Sequence, residues 1–515
     1  MRMNSTKLYL AVIAMFAASA LPSRVAAQHT QYKLIDMGTL GGPASYLTDP
    51  GNGPSFLVLN DAGVLVGRSD TSTFDPVIGD FRAHAFRWQK GILTDLGVPQ
   101  GTVFSAASGV NARGWIAIDY STGEVDPLTS GPIFRGALWK DGQFLELPPL
   151  GEGIENDALY VNDGGQVVGF SSISTTPDPA GFSFIGGPIH PFIWQNGVMH
   201  DLGTLGGPDA LPYENCNNQR MNLVTGQSLL VDFALNPDTG APTIHPFLWQ
   251  DGKLMDLGTL GGTLLGPLQC ANNAGQVAGT SSLIGNPMDP FGNLQAPNGN
   301  FTGHAFVWEK GMMRDLGTLG GANSQATWID NAGDVVGEAD LPIGSPDLHH
   351  AFLWRNGAMI DLGTLGSTSH AAALNSRAQV VGRSRIGDPF TELQHAFFWE
   401  NGGPMVDLNT LVGPNSPLEL YGAENINDAG WIAGRGLPPG CDNKDACGHV
   451  FLLIPCNAMT GQDCSPIIAN AAQGRVALAN KQASTVQQRL TPAQGLAARR
   501  WRSDFTVSGP HGPRD

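Results

Sequence analysis

Charge and sulfur are scarce in this chain: Asp, Glu, Lys and Arg make up 14% of 515 residues, and there are six cysteines. So low a charged fraction, set beside 68 glycines, suits short strands and tight turns rather than long solvent-facing helices. Cations are the scarcer sign, 28 Lys and Arg against 45 Asp and Glu. That balance disfavours nucleic acid as a partner, because phosphates need a positive surface. Catalytic signatures are missing as well: there is no Gly-x-Ser-x-Gly elbow, His-Glu-x-x-His pair, phosphate-binding loop or dinucleotide fingerprint. No Cys-x-x-Cys or Cys/His spacing marks a zinc site, and the recurrent Asn-Asp-Ala-Gly lacks the alternating oxygens of a calcium loop. No cofactor, metal or catalytic residue is therefore expected.

Long apolar runs are absent apart from Leu8–Ala20, thirteen positions where a bilayer needs about 20. Preceded by Arg2 and Lys7 and followed by Val25-Ala26-Ala27, this run reads as a signal peptide over 1–27 rather than an anchor. Export to the periplasm or the extracellular space is the expectation, with no transmembrane segment in the mature chain. Oxidising surroundings favour disulfides among Cys216, Cys270, Cys441, Cys447, Cys456 and Cys464. Cys441 with Cys447, and Cys456 with Cys464, are near enough to staple local loops, but the spacing leaves the connectivity open.

What the chain has in abundance is self-similarity. Three motifs recur: Asp-Leu-Gly-Thr-Leu-Gly-Gly, Asn-Asp-Ala-Gly-x-Val-Val-Gly, and His-Ala-Phe-x-Trp. The first starts at Asp36, Asp95, Glu146, Asp201, Asp256, Asp315, Asp361 and Asp407, a mean step of 53 residues. The second starts at Asn60, Asn111, Asn162, Asn218, Asn272, Asp330, Asn375 and Asn427. The third starts at His84, Arg135, His190, His245, His304, His350, His395 and His449. A period this long belongs to stacked units that cannot bury their apolar faces alone.

Each unit spells two hairpins. In His350 to Asp361 the Asn356-Gly357 pair is a type I′ turn signal, predicting Trp354 opposite Met359 and Phe352 opposite Asp361. The Asn-Asp-Ala-Gly turn builds the second hairpin, so each repeat supplies four antiparallel strands. At the ends, Tyr32 to Gly38 is only the second half of a hairpin, and His449 to Leu453 only the first half. A closed all-β propeller of eight four-stranded blades over 28–455, with the termini sharing one blade, satisfies both and leaves no open edge. An open β-solenoid of hairpins is the alternative; it accounts for the period but not for the complementary ends.

With His-Ala-Phe at 304, 350 and 395, the trailing Trp and the Asp-Leu-Gly-Thr-Leu-Gly-Gly runs, the region from 32 to 455 resembles the bacterial extracellular repeats called the HAF family, and more loosely kelch propellers. The resemblance implies export and a repeat fold, and brings no activity to carry over.

A side chain repeated in every blade forms a ring and does not converge on one site. His84, His190, His245, His304, His350, His395 and His449 are therefore read as structural, with their paired acids. So are Trp88, Trp139, Trp194, Trp249, Trp308, Trp354 and Trp399. Binding is expected where copies differ, in the unequal loops on one face, above all Ser281–Gly303, Ser171–Pro188 and Leu229–Ile244. The ligand expected there is a glycan, a cell-envelope component or a protein. The residues that mark these loops are Asp178, Asp232, Asp238, Asp289 and Phe291. The same acids would serve the alternative reading, a propeller hydrolase or lyase acting on polysaccharide, which needs two facing carboxylates. Cys216 and Cys270 sit at matching places in adjacent blades, and a bond between them would put the Asn-Asp-Ala-Gly hairpin nearest the axis. The tail over 456–515 is expected to carry a disulfide, a short helix within 466–499 and a disordered end.

Overall fold

The computed structural model describes residues 30–47, 57–75, 80–99, 101–178, 185, 187–213, 223–231, 243–265, 270–283, 303–342, 349–387, 393–456, 465 and 467–468. These residues form eight sheets, each built on four antiparallel strands that follow chain order in blades 1 to 7; the blade 5 and blade 8 sheets each carry a short fifth strand. Blade 3 shows the plan: inner strand Asn156–Val161, second strand Val167–Ser172, third strand Ile189–Gln195 and outer strand Val198–Asp201. Blades 1 and 2 span 41–97 and 105–146, blade 4 spans 206–256, blade 5 261–315, blade 6 324–361 and blade 7 369–407.

Blade 8 closes the ring. Its strands Glu419–Ile426, Ile432–Leu437 and His449–Cys456 come from the end of the chain, and its fourth, Gln31–Asp36, from the beginning. Leu34 stands opposite Leu453 and Lys33 opposite Ile454. Ile467–Ile468 adds as a short parallel strand beside Gln31–Asp36, covering an edge that the four-stranded plan leaves open, and the rest of 466–499, where a short helix was expected, lies outside the described residues. The rest of the tail, like the signal region 1–27, lies outside the described residues.

The expected registers hold. Trp354 faces Met359 and Phe352 faces Asp361, and Asn356 and Gly357 take φ values of 53° and 83°, the type I′ geometry. Burial orders the strands radially: in blade 3 the inner strand is buried throughout, while three of the four outer-strand residues are exposed. The Asn-Asp-Ala-Gly hairpin is thus the inner one.

Two of the repeated residues explain each other. The motif Gly of the second strand lies opposite the motif Phe of the third: Gly169 with Phe192, Gly337 with Phe352, Gly382 with Phe397. A Cβ on Gly169 would come within 1.8 Å of the Asp157 carbonyl and 2.8 Å of Phe192 Cζ. Absence of a side chain lets the inner strand approach and the fully buried ring lie flat. Blade 2 reverses the sizes, with Ile118 opposite Ala137.

Polar motif residues hold blades together. The Asn60 amide donates to the Asn111 carbonyl at 2.8 Å, Asn111 to Asn162 at 2.9 Å, Asn375 to Asn427 at 3.0 Å, and Asn427 back to Asn60 at 3.0 Å. One residue on, the Asp163 and Asp428 carboxylates accept from the Ala112 and Ser376 N–H groups of the preceding blades. The Asn-Asp pair is therefore a blade-to-blade clasp as well as a turn.

Candidate functional site

In a four-strand meander both tight turns lie on one face of the ring and both connectors on the other. The repeated His and Asp meet at the connector face, where the third strand begins and the outer strand ends. His190 Nδ1 lies 3.0 and 2.9 Å from the Asp201 oxygens; His245 pairs likewise with Asp256, His304 with Asp315 and His350 with Asp361. The same holds for His84 with Asp95 and His395 with Asp407, and His449 with Asp36 joins the two chain ends. The Asp also accepts the N–H two residues on, as Asp201 does from Gly203 at 2.8 Å. These bonds hold the Asp201, Asp256 and Asp407 carboxyls below the usual range despite burial, and the Asp407 hydrogen bond raises His395. Blade 2 departs: Arg135 and Glu146 replace the pair, and burial and Glu146 together disfavour ionisation of Tyr120.

Of the Trp series, Trp88, Trp194, Trp308 and Trp399 are buried and Trp139, Trp249 and Trp354 partly so, packed on apolar neighbours. Cys441 and Cys447 are bonded to each other. Cys270 and Cys456 are also in disulfides, whose partners, like Cys216 and Cys464, lie outside the described residues. So do Asp232, Asp238, Asp289 and Phe291, and most of the loops that carry them.

The structure brings forward a second set of differences, set into the scaffold. The residue after the motif Gly is Arg68 in blade 1, then Asp119, Phe170, Gln227, Thr280, Glu338, Arg383 and Arg435 in turn. At Asp119, Glu338 and Arg435 this position meets the inner strand of the next blade, at Ala158, His370 and Tyr46. Glu338 Oε2 meets His370 Nδ1 of blade 7 at 3.1 Å and His349 Nε2 at 3.3 Å. Those two rings, with Arg383 nearby, hold the Glu338 carboxyl down to about 2 against its burial. All three side chains keep solvent exposure, 26% for Glu338, 32% for His349 and 21% for His370, and Arg383 is exposed. Arg383 also favours the charged form of Glu424 on the blade 8 inner strand, whose carboxyl burial raises. Arg435 and Arg68 instead are buried, stacked on either side of Tyr46 at 4.7 and 4.6 Å. Lining up the eight copies of the second motif, seven with Gly and one with Ile118, would have exposed this position in the sequence.

Acids dominate the junctions of blades 2, 3 and 4. Asp119 accepts from Ala158 N–H at 2.6 Å and Ser108 Oγ at 2.8 Å, and faces Asp157. Asp126 and Asp157 disfavour ionisation of the buried Glu155, and the expected loop acid Asp178 does the same to Asp209. Burial is the first cause raising Asp119 to about 7, Asp209 to about 8 and Glu155 to about 10, and the neighbouring carboxyl adds to it in the last two. No group of three or more potential ligands able to hold a metal occurs among the described residues.

The fold places the chain in the class of eight-bladed β-propellers. No family model and no curated protein matches it, so the HAF resemblance rests on the motifs themselves. Among solved structures it is similar to the β-propeller domain of the Trilobed protease from Pyrococcus furiosus. The identity is 7% and the TM-score 0.39, over 73% of this chain and all of that one. Porphyromonas gingivalis dipeptidyl peptidase 4 matches at 9% identity and TM-score 0.44, over 76% of this chain and 59% of the other. The polysaccharide lyase Uly1 matches at 9% and 0.37, over 83% and 98%. Similarities this distant concern the fold alone.

Proposed function

We propose that this chain is an exported binding propeller that recognises a glycan or another cell-envelope component at the connector face. The carrying observation is the division of labour among polar residues. The groups that repeat are consumed within the scaffold: His with Asp inside blades, Asn with backbone carbonyls between them. Groups that do not repeat collect towards the connector face, and the Glu338, His349, His370 and Arg383 set stays solvent-accessible there. Planar, already oriented side chains of this kind suit sugar hydroxyls, because their geometry is fixed before a ligand arrives. The Cys441–Cys447 bond and the absence, among the described residues, of a helix able to cross a membrane accord with an extracytoplasmic site of action.

The hydrolase or lyase reading gains no support from the acids that are placed. Of the loop acids that reading invokes, Asp178 alone is among the described residues, so no facing pair of them is placed. A glycan and cell-envelope binding screen with the mature chain tests the proposal, alongside Glu338→Gln, His370→Ala and a variant shortened over 281–303. Binding that the parent shows and these variants lose at unchanged melting temperature supports it. Binding equal in all four, or product formation from a bound polysaccharide, contradicts it.

A further inference from the structure

We infer, resting on the binding role proposed above, that the opening between blades 6, 7 and 8 takes an acidic sugar, with Arg383 holding its carboxylate and the His349 and His370 rings meeting its hydroxyls. The second-strand position that Glu338 and Arg383 occupy is buried in the other blades, at Arg68, Asp119, Phe170, Gln227, Thr280 and Arg435. Glu338 and Arg383 alone, in adjacent blades, reach solvent at this position. A wall that is closed around the rest of the ring is therefore open at one place.

Other arginines near blade junctions and loops are spent on the protein itself. Arg435 donates to Asp445 and to the Lys444 carbonyl, Arg355 to Asp334 and Arg82 to Asp75. Arg383 is not: its exposed guanidinium makes no hydrogen bond or ion pair with another described residue. In the blade 7 register it stands directly opposite His370, which ties it to the Glu338 cluster. Across the junction with blade 8 it faces Gly422, where an added Cβ would lie 3.7 Å from the Arg383 Cβ, so no side chain from that position covers it.

The acids around the opening are largely matched. Glu338 Oε2 accepts from His370 Nδ1 at 3.1 Å and lies 3.3 Å from His349 Nε2, Asp340 accepts from Asn323 Nδ2 at 2.7 Å, and Glu419 meets His395 Nε2 at 3.1 Å. Glu424, on the blade 8 inner strand, attracts Arg383 without a hydrogen bond between them. What the opening lacks is an anion for the guanidinium, and a carboxylate matches two of its N–H donors at once. His370 Nε2 and His349 Nδ1 are left over on rings that Glu338 already orients, and a ring nitrogen of that kind pairs with a hydroxyl. A uronate carries both groups; a neutral sugar would leave Arg383 unmatched.

Isothermal titration of the mature chain with trigalacturonate, and with the carboxyl-reduced form of the same trisaccharide, tests this. The parent should bind the acid form about tenfold tighter than the reduced one, the worth of a charge-assisted pair. Arg383→Gln should lose that preference at unchanged melting temperature, and Arg383→Lys, which keeps the charge without the fork of donors, should retain part of it. Glu424→Gln removes a competing carboxylate and should tighten the acid form. Equal binding of the two trisaccharides, or a preference that Arg383→Gln keeps, overturns the acidic sugar; equal binding that weakens in Glu338→Gln leaves glycan recognition standing without it. If neither trisaccharide binds, the acidic sugar is again overturned, whereas the broader binding role falls only with the screen of glycans and envelope components.

Discussion

Exchanging sizes across blade 6, with Gly337→Ile and Phe352→Ala together, tests why the second and third motifs travel together. Alone, Phe352→Ala empties a fully buried ring position, a loss of about 3–5 kcal/mol. Gly337 is worse placed for substitution than most glycines, because a Cβ would stand 1.8 Å from the Gln325 carbonyl and 3.0 Å from the Ala326 Cα. Backbone cannot rotate away as a side chain can, so Gly337→Ile alone should cost at least the roughly 1–3 kcal/mol of core overpacking. Blade 2 carries the reversed pair, Ile118 opposite Ala137, within the same strand order. The two changes should therefore compensate in part, with a coupling of about 1–2 kcal/mol in a double-mutant cycle. Urea denaturation of the parent, both single variants and the double variant measures it. Strict additivity would refute the claim that Gly and Phe fit one another.

Three further outcomes follow. Asn427→Ala removes the bond to the Asn60 carbonyl and the acceptor for Trp431 N–H, and should lower stability by about 1–3 kcal/mol in thermal or urea melts. His395→Ala should matter most between about pH 4 and pH 7, by less than about 1 kcal/mol, because the raised His395 and lowered Asp407 are both charged in that window; a loss equal at pH 5 and pH 9 would contradict this. Cys441→Ser with Cys447→Ser should cost about 2 kcal/mol for a loop this short, read as a lower urea midpoint under non-reducing conditions.

The blades were legible because their rules are local. Asn356-Gly357 sets a turn, the turn sets the register of Phe352 and Asp361, and eight repetitions leave little room for another period. Ring closure was legible from two half-hairpins that complete each other. The inter-blade chemistry was not, because Asn60 reaches the Asn111 carbonyl only once the blades stand side by side, and a turn motif read alone looks like a turn. Asp178 was visible as a loop acid, but Asp209, whose carboxyl it bears on, stands where blade 6 has Asn323, and only alignment of inner strands singles it out. Likewise the Glu338, His349 and His370 set draws on two blades, so no spacing along the chain announces it. The strand at Ile467–Ile468 was hidden for a related reason: two residues carry no period, and pairing with Gln31–Asp36 decides their structure.

Closure through the shared blade is the claim on which the rest stands, and a cysteine pair at Lys33 and Ile454 tests it directly. These residues are partly exposed and stand opposite each other in the outermost antiparallel pair of blade 8. In a closed ring Lys33→Cys with Ile454→Cys should oxidise to an intramolecular disulfide in nearly every molecule, identified by peptide mapping, and raise the melting temperature. In an open array the two ends lie apart, beyond the roughly 7 Å that a disulfide can span. Two free thiols at 33 and 454 in the folded monomer would contradict the ring.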